Sequence, residues 1–249
     1  MSVKSKLYEG KAKILYSTSE ESVLLADFKD DATAFNAQKR GSIKNKGSIN
    51  CRISTKIFQY LANKGIKTHF IDSPAPNQML VKAVKILPLE VVVRNIAAGS
   101  LCKQTGLTLG TVLSEPLVEF YYKNDDLGDP LLTRDRLRLL DLATPEQVET
   151  IAHLALQIDR LLIDFFRRCN ITLVDFKLEF GLNSQAELIL ADEISPDTCR
   201  LWDNSIETDT ENNLDSRVLD KDRFRRDLGK VEDAYEEVLK RVLSKLDGE

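Results

Sequence analysis

The sequence predicts an α+β fold in two parts, and three patterns carry that reading. The opening third of the chain holds short apolar runs punctuated by turn residues, the signature of strands. Beyond it, one long segment repeats apolar residues at steps of three and four, the period of a helix with one buried face. An alternating run and an apolar run joined by a polar turn follow, which is the pattern of an antiparallel hairpin. Leu87-Pro88 is the expected hinge, dividing the chain into a β-rich subdomain, 1–87, and a mixed α/β subdomain, 88–249.

In chain order, Lys6 to Tyr16 reads as two strand segments bent around Gly10, with a further strand at Val23 to Phe28. Asn50 to Lys64 sets Ile53, Ile57, Tyr60 and Leu61 at helical spacing, and Gly65 stands where a left-handed stop is needed. Phe70-Ile71, Met79 to Ile86 and Glu90 to Arg94 read as strands, with Pro74 and Pro76 marking a loop between the first two. Val148, Ile151, Ala155, Ile158, Leu162 and Phe165 line one face of a helix. Thr144, Pro145 and Gln147 supply its N-cap, first-turn proline and capping-box partner. Ile171 to Phe180 and Leu188 to Ile194 form the hairpin, and Val231 to Leu246 a closing amphipathic helix. From Asp203 to Asp222 acidic residues outnumber basic ones and apolar ones are few, so a surface loop is expected.

Composition narrows the function. Of 249 residues, 43% are hydrophobic and 30% charged, which excludes wholesale disorder. A net charge of -4 and a pI near 5.5 argue against nucleic acid or an anionic membrane as partner. Cys51, Cys102, Cys169 and Cys199 are dispersed, and His69 and His153 stand apart, so no zinc pattern forms. No apolar run approaches membrane length, and the start, Met1 to Lys6, has no apolar core of a signal peptide; a soluble, reduced, cytoplasmic protein is expected. With two histidines, carboxylates, lysines and arginines must carry the chemistry.

Alternation from Ile171 to Phe180 puts Asp175, Lys177 and Glu179 on one face and Val174, Phe176, Leu178 and Phe180 on the other. Taken alone, that is also the pattern of a half-solvated strand with cross-strand charge pairs. Asp192 and Glu193 interrupt the next apolar strand, and the hairpin returns Asp192 beside Asp175 or Lys177, a choice the register leaves open. Carboxylates on neighbouring strands with a lysine between them suit Mg²⁺. The turn of Gly10, Lys11, Ala12 and Lys13 sets two lysines on one side of a strand, where they serve either phosphates or solvent; neither a Walker nor a Rossmann pattern occurs. Arg94 ends a buried strand and Ser100 follows in a small-residue turn, a geometry for an anion or for pairing with an aspartate. Arg200, Lys123 to Asp126 and Lys221 to Arg225 add charge that fits a ligand or a solvated face.

Together these motifs resemble those of the SAICAR synthetase family: Gly10 to Lys13, Val92-Val-Arg-Asn95 with Ala98-Gly-Ser100, Val174-Asp-Phe-Lys-Leu-Glu-Phe-Gly181, Asp192-Glu193 with Ser195-Pro-Asp197, Arg200-Leu-Trp-Asp203 and Asp220-Lys-Asp-Arg-Phe-Arg225. Six motifs in order, from about residue 7 to the last helix, make the resemblance specific. It implies a homodimeric, Mg²⁺-dependent ligase of purine biosynthesis. The reaction would join L-aspartate to the carboxylate of carboxyaminoimidazole ribonucleotide while ATP becomes ADP and phosphate, with ATP in the cleft between two α+β parts. It further implies that Gly10, Lys11, Ala12, Lys13, Lys82, Lys123 and Glu179 bind ATP, with Lys82 near the adenine. Glu179 and Asp192 would bind metal, and Arg94, Ser100, Asp197, Arg200, Lys221 and Arg225 the second substrate, with Lys177 and Asp175 near the reacting groups. The polar stretch Asn204 to Ser216 looks longer than in compact family members, which loosens the placement of Lys221 and Arg225.

The chemistry of the residues agrees, because forming an amide from a carboxylate is uphill in water and its activation crowds anions that Lys, Arg and Mg²⁺ must neutralise. A kinase-like phosphotransferase is the main rival, although it would need a His-Arg-Asp loop that is missing here. A nucleotide-binding regulatory module without turnover is the third reading.

Overall fold

The computed structural model describes residues 3–34, 38–206 and 214–246. Strands β1 (Val3–Glu9), β2 (Lys13–Thr18) and β3 (Val23–Phe28) form a meander, and β6 (Phe70–Ala75) and β7 (Gln78–Lys82) complete an antiparallel sheet of order β1-β2-β3-β7-β6. Between them lie a small hairpin, β4 (Asp31–Ala34) and β5 (Lys39–Ser42), and helix α1 (Lys46–Asn63). The helix starts earlier than its apolar spacing predicts because its cap comes from a distant residue. Asp30 accepts the Asn45 and Gly47 N–H groups at 3.1 and 2.9 Å. Gly47 is required there, since a Cβ would lie 2.3 Å from the Phe28 carbonyl oxygen. The stop at Gly65 is as expected, with φ +87°. Pro74, expected in a loop, lies within β6; β6 is an edge strand, where the missing N–H costs no ladder bond.

The run expected as one strand from Met79 to Ile86 breaks after Lys82. Lys85–Ile86 is a separate strand, β8, which pairs with the second sheet. That sheet has the order β11-β10-β9-β12-β13, with β14 also paired to β12. Its strands are β9 (Leu89–Ile96), β10 (Val112–Tyr122), β11 (Leu131–Leu132), β12 (Ile171–Leu182), β13 (Leu188–Ala191) and β14 (Cys199–Asp203). Helices α2 (Ser100–Thr105), α3 (Arg134–Leu139) and α4 (Pro145–Arg168) precede the β12–β13 hairpin. The α4 capping box is complete: Thr144 Oγ1 accepts from Gln147 N, and Gln147 Oε1 accepts from Thr144 N. Short helices α5 (Leu214–Arg217) and α6 (Asp222–Arg225) lead to α7 (Val231–Leu246), which packs on α1.

One apolar core runs through both sheets, α1, α4 and α7. The two sheets also join directly, for His69 N–H donates to Leu190 O and Leu190 N–H to Lys67 O. A second, small cluster gathers Ala98, Val174, Trp202 and Val218. Val174 therefore leaves the face shared by Phe176, Leu178 and Phe180. The pairing of β12 with β14 slips between Leu173 and Asp175, and such a bulge reverses the alternation at one residue. Val218 and Leu219 are buried and Asp220 has no exposure, so the stretch from Asp203 to Asp222 is not wholly a surface loop. The part of Asn204 to Ser216 at 207–213 lies outside the described residues.

Candidate active site

The β12–β13 register pairs Glu179 with Ala191 and leaves Asp192 just beyond, at φ +63°. Lys177 Nζ then lies 2.5 Å from Glu179 Oε1, 3.3 Å from Asp192 Oδ2 and 3.2 Å from Glu90 Oε1. Asp192 thus returns beside Lys177, and Asp175 is engaged elsewhere. The remaining oxygens of the pair bind further lysines, Lys123 on Glu179 and Lys13 on Asp192, and Lys13 also reaches Glu193 at 3.0 Å. Glu179 is 2% exposed and Asp175 4%, so this ionised face does not look into solvent. Burial pulls the Lys177 and Lys13 pKa values down, but the surrounding carboxylates outweigh it and hold both above the ordinary lysine value. Burial likewise raises Asp192, and Lys13, Lys177 and Lys123 overcome it and keep the carboxylate ionised.

Gly10 N–H donates to Lys13 O at 2.8 Å, closing the turn before β2, and Lys29 N–H donates to Ala12 O at 2.8 Å. The two lysines of this turn do not stay together. Lys13 opens β2 and enters the carboxylate cluster, whereas Lys11 stays exposed in the turn and pairs with Asp125. Lys82 ends β7 and donates to the Thr68 carbonyl at 3.2 Å.

A guanidinium cluster adjoins this row. Arg94 places Nε on Glu119 at 2.7 Å, Nη1 on Asp175 at 2.9 Å, and Nη2 on Ser100 Oγ at 2.9 Å and the Tyr121 hydroxyl at 3.1 Å. Asp175 Oδ2 also accepts from Arg200 at 2.7 Å, and Arg200 Nε reaches Asp222 at 2.8 Å. Arg225 binds the other oxygen of Asp222 at 2.6 Å. The small-residue turn matters sterically: a Cβ at Gly99 would lie 2.4 Å from the Arg200 guanidinium. Asp197 accepts from buried Lys46 at 2.8 Å and from the Tyr235 hydroxyl at 2.7 Å, with Lys221 at 3.5 Å. A cavity of about 190 Å³ is walled by Arg94, Asp175, Lys177, Asp197, Arg200 and Arg225.

The fold therefore gathers most of the sequence-predicted residues into two touching clusters that share Lys177, while Gly10, Lys11, Ala12 and Lys82 stand outside these contacts. Sequence reasoning missed Glu119 and Tyr121, whose alternation is legible only once β10 is taken as a strand. Lys46, Glu90 and Tyr235 gave no signal of their own, because each gains meaning from a partner far along the chain, and Asp222 stood inside the Asp220 to Arg225 motif without a role assigned to it.

The donor set fits Mg²⁺. Glu179 and Asp192 offer hard oxygens that already converge on one cation, the Lys177 ammonium. Among the described residues, no three His, Cys, Asp or Glu side chains form a metal cluster, so these two would act with phosphate oxygens and water.

The family profile of SAICAR synthetase matches residues 6–242. A phosphoribosylaminoimidazole-succinocarboxamide synthase of Nostoc punctiforme is 74% identical over 98% of this chain and 97% of its own. The crystal structure of the Ehrlichia chaffeensis synthase superposes with TM-score 0.90 at 44% identity, covering 96% of this chain and 98% of that one. A SAICAR synthetase solved in complex with ADP gives TM-score 0.89 at 42% identity, covering 98% of both chains.

Proposed function

We propose, from the premise that this chain belongs to the SAICAR synthetase family and catalyses the phosphoribosylaminoimidazole-succinocarboxamide synthase reaction of purine biosynthesis, a division of labour between the two charge clusters. The lysine–carboxylate row serves ATP, and the guanidinium cavity serves carboxyaminoimidazole ribonucleotide. The observation that carries this reading is Lys177, whose ammonium touches Glu179 and Asp192 while its side chain walls the cavity with Arg94 and Arg200. The ADP complex of the 42% identical relative supports nucleotide binding.

In this reading Lys11, Lys13 and Lys123 neutralise phosphate oxygens, with the Gly10 turn allowing close backbone approach and Lys82 near the base. Mg²⁺, held by Glu179 and Asp192, would supply Lewis-acid screening of phosphate charge. Arg94, Ser100, Arg200, Lys221 and Arg225 fix the ribonucleotide, and Asp197, clasped by Lys46 and Tyr235, orients Lys221 beside it. A carboxylate oxygen of the ribonucleotide attacks the γ-phosphorus as the bond to ADP breaks. The L-aspartate amine then forms the C–N bond, phosphate departs, and the amine loses a proton. Lys177 offsets charge at the junction of the two substrates, and Asp175 holds Arg94 and Arg200 around the reacting carboxylate. ATP would lie between the parts 1–87 and 88–249, and we expect a homodimer, which sedimentation velocity tests.

The assay is phosphate release with ATP, Mg²⁺ and the ribonucleotide, with each amino acid in turn. Sustained release should require L-aspartate and yield ADP, phosphate and the succinyl amide in equal amounts. ADP formed at full rate without it, with the γ-phosphate retained on a stable acceptor instead of released, would favour a phosphotransferase.

A further inference from the structure

Asp220 has no exposed surface and lies between the strand that carries Arg200 and the helix that carries Arg225. Its Oδ2 accepts the Leu201 N–H at 2.7 Å, and its Oδ1 accepts the Asp222 N–H at 2.8 Å. The chain around it behaves as a short extra strand. Val218 bridges Trp202 in antiparallel fashion, and Leu219 N–H donates to Leu201 O at 2.9 Å. The Asp220 carboxylate therefore takes the Leu201 N–H that the next rung of a ladder would receive, and with its other oxygen it caps the first turn of α6.

That position is chemically unusual for an acid. Burial, and then repulsion from Asp222, push the Asp220 pKa up to about 7, against the pull of its two backbone donors and of Arg200. Val218 and Leu219 already provide apolar attachment of this segment, so packing alone does not call for a carboxylate here. What the carboxylate adds is direction, because it ties residue 201 to residue 222. Arg200 precedes the first, and Asp222 itself binds Arg200 at 2.8 Å and Arg225 at 2.6 Å.

We propose that Asp220 is a positioning residue for the ribonucleotide site, locking β14 to α6 so that Asp222 holds Arg200 and Arg225 at one fixed separation around an anionic ligand. This rests on the reading that Arg200 and Arg225 bind the ribonucleotide.

The test is steady-state kinetics of Asp220→Ala and Asp220→Asn in the full chain, with Arg200→Lys and Arg225→Gln as references and Val218→Ala as a stability control. Asp220→Ala should raise the ribonucleotide KM about tenfold and leave the ATP KM unchanged. Asp220→Asn keeps one acceptor oxygen and should recover part of that loss. Val218→Ala should lower Tm without moving the ribonucleotide KM. The inference is overturned if Asp220→Ala leaves the ribonucleotide KM unchanged, if both KM values rise together, or if Val218→Ala raises the ribonucleotide KM as much. If the two arginine variants also keep the wild-type KM, the assignment of the site falls with it; if they raise KM while Asp220→Ala does not, this inference fails alone. Should neither Asp220 variant fold, amide exchange in the wild type decides: the ribonucleotide should slow exchange at Leu201 and Asp222, and unchanged rates would overturn the proposal.

Discussion

The two charge clusters use different cations for different geometry. In the row on β12 and β13, ammonium groups sit among carboxylates, and each lysine touches its partners as a point charge. In the cavity, planar guanidinium forks span two or more carboxylates from separate elements, Arg94 across Glu119 and Asp175, Arg200 across Asp175 and Asp222. A point charge tolerates a partner that moves or is exchanged for phosphate oxygens. A fork dictates the orientation of what it holds. The difference teaches how one site can carry a flexible polyphosphate beside a ligand that must be aimed.

Lys177 belongs to both clusters, so its loss should be the largest effect. Lys177→Met should lower kcat by about 100- to 1000-fold, as expected for removing a positioned charge from the reacting centre. Turnover near wild type would place the reacting groups elsewhere. Next come Glu179→Gln and Asp192→Asn, each expected to cut kcat/KM for Mg²⁺-ATP by about 10- to 100-fold while the fold survives. Wild-type activity of both at limiting Mg²⁺ would remove the metal assignment.

Arg94→Lys keeps the charge and loses the fork. It should cost roughly 1 to 3 kcal/mol in use of the ribonucleotide with the ATP KM unaltered. An unchanged ribonucleotide KM and kcat would make Arg94 structural only.

The smallest effect is in stability, away from both clusters, where Arg241 on α7 grips both oxygens of Asp203 at 2.8 Å. Burial opposes ionisation of Asp203, but Arg241 and Ser205 lower its pKa to about 2. A carboxylate lowered in the folded state stabilises above its unfolded pKa of about 3.9 and loses that contribution as pH falls toward 2. Arg241→Gln should therefore lower Tm by a few degrees at pH 7, with the gap to wild type closing as pH falls from about 4 toward 2. A gap independent of pH would show that Arg241 acts by packing.

The contrast between the clusters also explains what the sequence made legible. The β12–β13 row was readable in part because alternation and a short turn are local: Asp175, Lys177 and Glu179 could be set on one face and Asp192 brought near them, whereas the choice of Lys177 over Asp175 as its neighbour needed the register. The bulge at Val174 was not, since it arises from pairing with β14. Strand β10 escaped for a related reason. It carries Pro116 and several polar residues, and only Phe120 in it is buried, so no apolar run marks it, yet it supplies Glu119 and Tyr121 to Arg94. Lys46 shows the limit most clearly: a lysine ahead of a glycine reads as solvated, and only the docking of α1 against Asp197 buries it to 1% exposure.

The division of labour is tested most directly by calorimetric binding of Mg²⁺-ATP and of the ribonucleotide, separately, to Asp192→Asn and Arg94→Lys. Asp192→Asn should lose nucleotide affinity and keep the ribonucleotide, and Arg94→Lys should do the reverse. Equal loss of both ligands in both variants would contradict the account, because it would mean that the two clusters act as one undivided site.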